Sequence, residues 1–593
     1  MDIEVISVSR RVEKLSETAS AIQVITREDI HRSGATTLAD ALRLAPNVRV
    51  GQVNSYAWVV TTRGFSGIFA NKLLVMIDGR TVYTPLFAGV LWDVQNPLLE
   101  DLEQIEVVSG PGGTLWGANA VNGVINIQSK NARDTQGLYV SAAAGSQLEH
   151  YGAVRYGGKV GETLHYRAYV HQARRDNTLL PNGGPGSDAW EMAQGGFRLD
   201  WEPTADDTIT WQGDLNRGTE FTAPANSTAE GQNLLGRWTR TLSPDSDLKV
   251  QVYFDRTWRR DIPSTFTDKL KTYDFDFQHR FAPLAGHRIV WGAGYRRMLS
   301  EVRNSGPIVA FVPNRRNMDL FSGFIQDEVP LAAEQLRLTV GTKLEHNVFS
   351  GFEVQPSIRL AWIPTEQSVL WASISRAVRS PSRIDVDYFI PATPAALGTP
   401  GVFGGPNFTS EKVFAYEAGY RTQPTAKLSL SLATFYNRYD DVYSVEAVGS
   451  TPSYQIQNGT EGQSYGVELS GTYSVNDWWR LKGGGTWFRK DLWNKPGHFY
   501  NPAALGNDPA RQFLVQSMWT LPRGFQFDVV ARHVSSLPDP AVPAYTTFDA
   551  RLAWENDQWE ISVVGQDLGD DRHGEFGVQT IRRSAYGKIS WRF

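Results

Sequence analysis

Between residues 137 and 593 the chain alternates apolar and polar side chains with a period of two, and the connections between these stretches alternate in length. Leu248, Val250, Val252 and Phe254 interleave with Lys249, Gln251, Tyr253 and Asp255. Phe525, Phe527, Val529 and Ala531 interleave with Gln526, Asp528, Val530 and Arg532, and Trp559, Ile561, Val563 and Gly565 with Glu560, Ser562, Val564 and Gln566. Successive side chains of a strand point to opposite faces, so each stretch reads as a strand with two unlike faces. A soluble sandwich would show the same. The connections separate the two cases. Short ones (158–162, 203–207, 243–247, 283–287, 331–335, 364–368, 423–427, 475–478, 522–524, 555–558) take turns with mostly longer ones (174–190, 217–232, 301–317, 377–409, 440–461, 489–509, 567–582). Short turns at one end and long loops at the other are the pattern of an outer-membrane barrel. About ten turns imply about eleven loops, and so about 22 strands.

The bulk properties agree. The sequence is mildly hydrophilic and has no run of 18 apolar residues, which excludes spanning helices but not spanning strands. A net charge of −5 argues against a nucleic-acid partner. With no cysteine there are neither disulfides nor thiolate metal sites. Asp2 and Glu4 stand where a signal peptide would carry basic residues. A barrel needs export, so the expectation is a signal already removed and Met1 as an added start.

The first part of the chain has a different texture. Leu38, Ala41, Leu42 and Ala45 recur at helical spacing, with Thr36 and Thr37 as possible caps and Pro46 as a stop. Residues 73–77 form a continuous apolar run ended by Asp78-Gly79, a strand buried on both faces and then a turn; residues 121–127 are similar. This is an α+β domain. A barrel of about 22 strands leaves a wide lumen, and the first domain is of a size to fill it. The expected class is therefore membrane all-β: an antiparallel transmembrane barrel (136–593), an α+β plug inside it (16–135) and an N-terminal tail (1–15). At the other end, Gly587, Ile589, Trp591 and Phe593 would face lipid, and Lys588, Ser590 and Arg592 the lumen. A terminal Phe on such a strand resembles the recognition signal of the outer-membrane assembly machinery.

The first domain resembles the plug of TonB-dependent receptors along nearly its whole length. The matching stretches are ITREDIHRSGATTLADALRLAPNVRV (25–50), TTRGF (61–65), LLVMIDGR (73–80) and IEVVSGPGGTLWGANAVNGVINI (105–127). SRAVRSPS (375–382), EKVFAYEAGY (411–420) and QSYGVELSG (463–471) add weaker matches in the barrel. The family usually has Arg-Gly-Pro where this chain has Ser109-Gly110-Pro111, so the contact of that arginine is not expected to carry over. Gly110, Gly112, Gly113, Gly117 and Gly123 are read as shaping the plug, not as carrying chemistry.

The resemblance implies a TonB box in the tail, at Glu4, Val5, Ile6, Ser7, Val8 and Ser9. A short β-prone segment can add as a strand to a partner's sheet edge. The partner would be TonB, with ExbB and ExbD supplying work from the inner membrane. The resemblance also puts ligand between the upper plug loops and the barrel loops. The plug segments at those positions offer Asn54, Tyr56, Trp58, Tyr83, Phe87 and Trp92. Aromatic rings give contact area, and Tyr and Trp add a polar handle. Two or three of the six are expected to touch ligand, the rest to pack plug against barrel. The long loops add Tyr388, Phe389, Phe403, Phe408 and the pair Arg315-Arg316, which would steer an anionic chelate or face lipopolysaccharide phosphates.

Haem-type relatives carry a histidine between two motifs of the loop 377–409; here the corresponding Val378-Arg379-Ser380-Pro381 and Gly405-Pro406-Asn407-Phe408 enclose none. The ten histidines are scattered, so no protein metal site, cofactor or enzyme chemistry is expected. The leading expectation is active import of a scarce ligand, a ferric siderophore or other metal chelate, by a monomeric barrel in a Gram-negative outer membrane, in contact with lipid and lipopolysaccharide. Import of a cobalamin, oligosaccharide or other nutrient is the alternative within the class. A passive porin or adhesin is the alternative outside it, and the plug counts against the porin.

Overall fold

The period-two stretches pair neighbour with neighbour into a closed antiparallel barrel of 22 strands. The computed structural model describes residues 3–261, 266–283, 286–304, 308–332, 335–390, 401–449 and 453–593. Met1, Asp2 and parts of the connections 283–287, 301–317, 331–335, 377–409 and 440–461 lie outside the described residues. The first barrel strand, Gly137–Gly145, pairs with the last, Ser584–Arg592, with Val140 opposite Trp591, and this closes the ring. No described helix is long and apolar enough to cross a membrane.

The faces divide as the alternation requires. In the strand Ser246–Asp261, Val252 is 48% exposed, while Gln251 and Tyr253 beside it are 4% and 5% exposed. Phe525, Phe527, Trp559, Ile561 and Val563 are exposed outward, and Asp528, Val530, Glu560, Ser562 and Val564 are buried inward. An outward row of Trp and aliphatic side chains suits lipid. The adjacent strands Leu428–Val448 and Ser453–Asn476 have 21 and 24 residues. A tilted crossing needs about 9–11, so this hairpin stands well clear of the bilayer.

The plug sheet has five strands in the order Ile22–Thr26, Leu102–Ser109, Gly123–Ser129, Leu73–Ile77, Arg80–Thr81, with only the third and fourth parallel to each other. Leu73–Met76 are buried, as the apolar run predicts. Asp78 (φ 51°) and Gly79 (φ 81°) are both left-handed, the backbone of a tight two-residue hairpin turn. The strand read from Val121 starts at Gly123, because the Asn122 N–H donates to the Lys72 carbonyl and its side chain to the Thr62 carbonyl.

Two helices pack on this sheet. In Arg27–Ser33, Thr26 Oγ1 accepts from the Asp29 N–H at 3.2 Å, and the Asp29 carboxylate accepts from the Thr26 N–H at 3.0 Å, a reciprocal cap. Thr26→Ala is expected to cost about 1 kcal/mol, seen as faster amide exchange in residues 29–33; unchanged exchange would remove the cap's role. Leu38–Leu42 buries Leu38, Ala41 and Leu42 in the plug core with Ala45. It stops short of Pro46: Leu44 and Ala45 donate three residues back, to Ala41 and Leu42, tightening the last turn.

Candidate functional site

Three regions join plug to barrel and to the two sides of the membrane. The first is the tail. Glu4–Val5 pairs antiparallel with Glu13–Lys14, so the chain's own hairpin occupies one edge of this segment. Val5, Ser7, Val8 and Ser9 are buried. The Ile6 and Ser7 N–H groups donate to the Glu106 carboxylate at 3.1 and 2.8 Å, Trp116 Nε1 donates to the Ser7 carbonyl at 2.8 Å, and Gln104 Nε2 to the Glu4 carbonyl at 2.9 Å. Burial pushes the Glu106 carboxyl up, against the pull of the Ser7 and Ile6 donors. Arg10 lies over the rings of Trp116 and Phe324, 4.4 and 4.6 Å from their centroids, and donates to the barrel's Asp276 at 3.3 Å.

Ile6 and Arg10 also border a cavity of about 300 Å³ between plug and barrel wall. Its lining reaches Tyr83, Met318 and Phe349 toward the long-loop end. It is charged on both sides, with Arg10 and Asp78 from the N-terminal part of the chain and Arg237, Lys249, Asp274, Asp276 and Lys343 from the barrel wall.

The second region is the apex. Tyr83 is half-buried and borders this cavity and a smaller one of about 80 Å³. Burial pushes its phenol up to about 12, so it remains a hydrogen-bond donor. Tyr56 and Trp92 are half-buried, Trp92 against the plug core. Trp58 belongs to that core and meets the barrel's Trp190 edge-on at 6.3 Å. Phe87 is buried with Val302 and Phe311. Asn54 Oδ1 accepts from the Tyr56 and Ala57 N–H groups and so shapes its own turn. Sequence reading missed Ile68 and Phe69, the exposed tip of the loop between Thr61 and Leu73. The available clue was two bulky apolar residues directly after a Gly in a loop, since large exposed apolar groups mark contact surfaces. Phe69 touches Phe87, with centroids 5.3 Å apart.

In the long loops, Phe389 and Phe403 meet at 5.2 Å, Tyr388 meets Phe311 at 5.7 Å, and Phe408 is buried beneath Arg379. The pair Arg315-Arg316 divides. Arg316 turns inward onto Asp387 at 2.5 Å, and Arg315 stays exposed beside Glu301 at 3.4 Å. Asp567, His573 and Glu575, which the sequence did not flag, come together. The Glu575 carboxylate is already bound by Arg43 at 2.9 and 2.8 Å and by the Gln52 N–H at 2.7 Å. The Arg43 guanidinium thus already neutralises this carboxylate.

The third region locks plug to barrel. Arg63 is wholly buried and pairs with Glu417 at 2.5 Å and Glu468 at 3.0 Å, under Phe435 at 4.1 Å. Burial opposes its charge, but the two glutamates more than reverse this and hold the guanidinium above its usual range. Ser109, in the place of the expected arginine, accepts from Asn47 Nδ2 at 2.8 Å instead. One arginine thus serves two barrel carboxylates. Gly110 (φ 92°) lies beside the Arg63–Glu417 pair, and a side chain there would collide with both.

Residues 14–124 match the family model described as TonB-dependent Receptor Plug Domain, and residues 133–568 the one described as TonB dependent receptor-like, beta-barrel. An iron-regulated outer membrane virulence protein of Vibrio cholerae is 22% identical over 533 residues, 84% of this chain and 78% of that protein. The vitamin B12 transporter BtuB of Vibrio vulnificus is 31% identical over 150 residues, 25% of this chain and 24% of that protein. Among solved structures, the siderophore receptor PirA from Acinetobacter baumannii matches with a TM-score of 0.83 at 15% identity, covering 98% of this chain and 99% of that one. A variant of the ferric enterobactin receptor PfeA from Pseudomonas aeruginosa matches with a TM-score of 0.81 at 15% identity and the same coverage.

Proposed function

The chain belongs to the TonB-dependent receptors of the Gram-negative outer membrane, and on that premise we propose that it imports a ferric siderophore or similar metal chelate by letting TonB draw on Glu4–Ser9. The observation that carries this reading is the docked tail. A segment at the inner face holds its backbone in bonds that can be broken and borders a cavity that reaches toward the outer loops. Pulling it out supplies both a handle for work and a start for plug rearrangement. The likeness to an iron-regulated outer membrane protein and to siderophore receptors favours an iron chelate. A corrinoid is the second reading, supported by the 31% identity with a B12 transporter over 150 residues.

Mass spectrometry and metal analysis of receptor from iron-limited cells are expected to find an iron chelate. A cobalt corrinoid would replace the first reading by the second. Uptake should stop when the proton motive force is collapsed, and continued flow would mark a passive pore.

At the apex, Tyr56, Tyr83, Ile68 and Phe69 form the proposed contact surface. Phe69→Ala is expected to weaken binding about tenfold, the worth of one good aromatic contact. Trp58→Ala should leave affinity intact and cost about 3–5 kcal/mol of stability. Ligand titration beside thermal melts checks both, and an unaltered affinity in Phe69→Ala would take this tip out of the site.

A further inference from the structure

Between the tail hairpin and the plug sheet lies a short stretch, residues 15–22, that the barrel wall holds directly. Arg421, from the strand Glu411–Thr425, is 4% exposed and spends its guanidinium on backbone. Its Nη1 donates to the Leu15 and Thr18 carbonyls, both at 2.8 Å, and its Nη2 to the Ser20 and Ile22 carbonyls at 3.0 and 3.4 Å. Other arginines between plug and barrel, such as Arg32, Arg63 and Arg480, each take a carboxylate. Arg421 takes four carbonyls of one stretch. Ala19 and Ala21 pack against the wall residues Ala361, Val369 and Ala433, and side chains this small leave the backbone within reach of the guanidinium.

The chain on either side of this stretch is held in a weaker geometry. Ahead of it, Glu4–Val5 and Glu13–Lys14 make a hairpin of two residue pairs, and the Leu15 N–H donates to the Ile3 carbonyl at 2.8 Å. A pull on the N-terminus meets such a hairpin one pair at a time. Behind it, Ile22–Thr26 is an edge strand of the plug sheet, paired with Leu102–Ser109 alone. A pull that reached this strand would peel it in the same stepwise way. The clasp is different. Its four bonds hang on one planar, rigid fork, so they share a load and do not meet it in turn. Each is also charge-assisted, and so about twice as strong as a neutral hydrogen bond.

We propose that Arg421 is the positioning residue that stops the drawn tail: the chain up to Lys14 leaves its seat, residues 15–22 stay on the barrel wall, and the plug sheet behind them carries no load. The proposal rests on the reading of residues 4–9 as the drawn segment, and it gives that motion an end point. Withdrawal this far takes Ile6 and Arg10 away from the cavity of about 300 Å³ that they border. The inner end of the cavity is uncovered while the five plug strands remain paired.

The test uses the full chain in a lipid bilayer, gripped at Asp2→Cys and drawn from the periplasmic side by atomic force microscopy; the sequence has no other cysteine to compete for the tip. Residues 2–14 release about 45 Å of chain at roughly 3.3–3.6 Å each. Because Ile3 starts beside Leu15, nearly all of that length appears as extension. With Arg421 intact, the chain is expected to yield at low force and to meet its first high peak at about 45 Å. Arg421→Met has similar bulk and no donors, and should lose that peak, the pull running on through the edge strand. Arg421→Lys keeps the charge without the fork and should lose it too; it replaces Arg421→Met if that variant lacks the heat-modifiable mobility of a closed barrel. Arg480→Met removes a wall contact to Glu28, beyond the clasp, and should leave the peak in place. A role in stability alone would shift the melting temperature and not the peak's position. No peak near this extension with Arg421 intact, or the same peak in the Arg421 variants, would overturn the proposal. Uptake that survived deletion of residues 2–9 would instead strike the reading of the tail, and would do so without moving the peak.

Discussion

Arg63→Ala is expected to cost about 3–5 kcal/mol, because it strands two buried carboxylates and does not merely delete one contact. Glu417 and Glu468 are both buried, and the Phe435 ring covers the arginine that neutralises them. The loss should appear as a lower calorimetric transition and as faster proteolysis of the plug inside an intact barrel. Adding Glu417→Gln and Glu468→Gln to Arg63→Ala should recover part of the loss, since the uncompensated charges go with them. A triple variant no more stable than the single one would show that packing under Phe435, not charge, is what Arg63 supplies. Substituting Ser109 by Arg is not expected to help: Ser109 is buried and bonded to Asn47, and Arg63 already holds both carboxylates.

The second large effect concerns the tail. Deleting residues 2–9 should abolish energised uptake while leaving ligand affinity at its wild-type value, because the bonds that hold residues 4–7 run to Gln104, Glu106 and Trp116 and not to Tyr56, Ile68, Phe69 or Tyr83. Radiolabelled chelate uptake and binding to whole cells, measured side by side, check this. Uptake that survived the deletion would place the energy-coupling segment elsewhere. Glu106→Gln is a subtler probe. Hydrogen bonds to a charged acceptor contribute about 1.5–3 kcal/mol, so weakening those from Ile6 and Ser7 should raise the exposed fraction of the tail by about tenfold or more. Protease nicking near residue 10, or binding of a TonB fragment without ligand, would report it. No gain in either would mean that Trp116 and Gln104 suffice to hold the tail.

The barrel was legible from the chain because a period of two and alternating connection lengths have few other physical causes. Gln251, Val252 and Tyr253 show how literally the pattern translates into faces. Plug core positions such as Leu38 and Leu42 were legible for the same reason, at helical period. Less was readable at the apex. Six aromatic or polar residues were marked by position along the plug, yet Trp58 and Phe87 point into the packed interior, and the exposed tip is Ile68-Phe69. Nothing local distinguishes a ring that packs from one that waits for ligand. The docking of the tail was also out of reach, since its partners Glu106, Trp116 and Asp276 lie about a hundred residues or more away. The hold of Arg43 on Glu575 has the same cause: it joins the plug to a barrel loop more than five hundred residues on, and exists only once the barrel encloses the plug.

Closure has a further consequence, for the order of assembly. Most barrel pairings join strands that follow one another along the chain and can form as local hairpins. The pairing of Gly137–Gly145 with Ser584–Arg592 instead joins the two ends of the domain. It is the expensive loop to close and the last for which both strands exist. Until it forms, two strand edges carry unpaired amides that lipid cannot satisfy. The plug precedes the first strand, so it must already lie within the curling sheet when the seam meets, or thread in afterwards through a mouth that Arg63 and its partners then lock. A chain truncated before Ser584 would therefore fail twice: it would keep an open edge, and it would have no enclosed space in which to hold its plug.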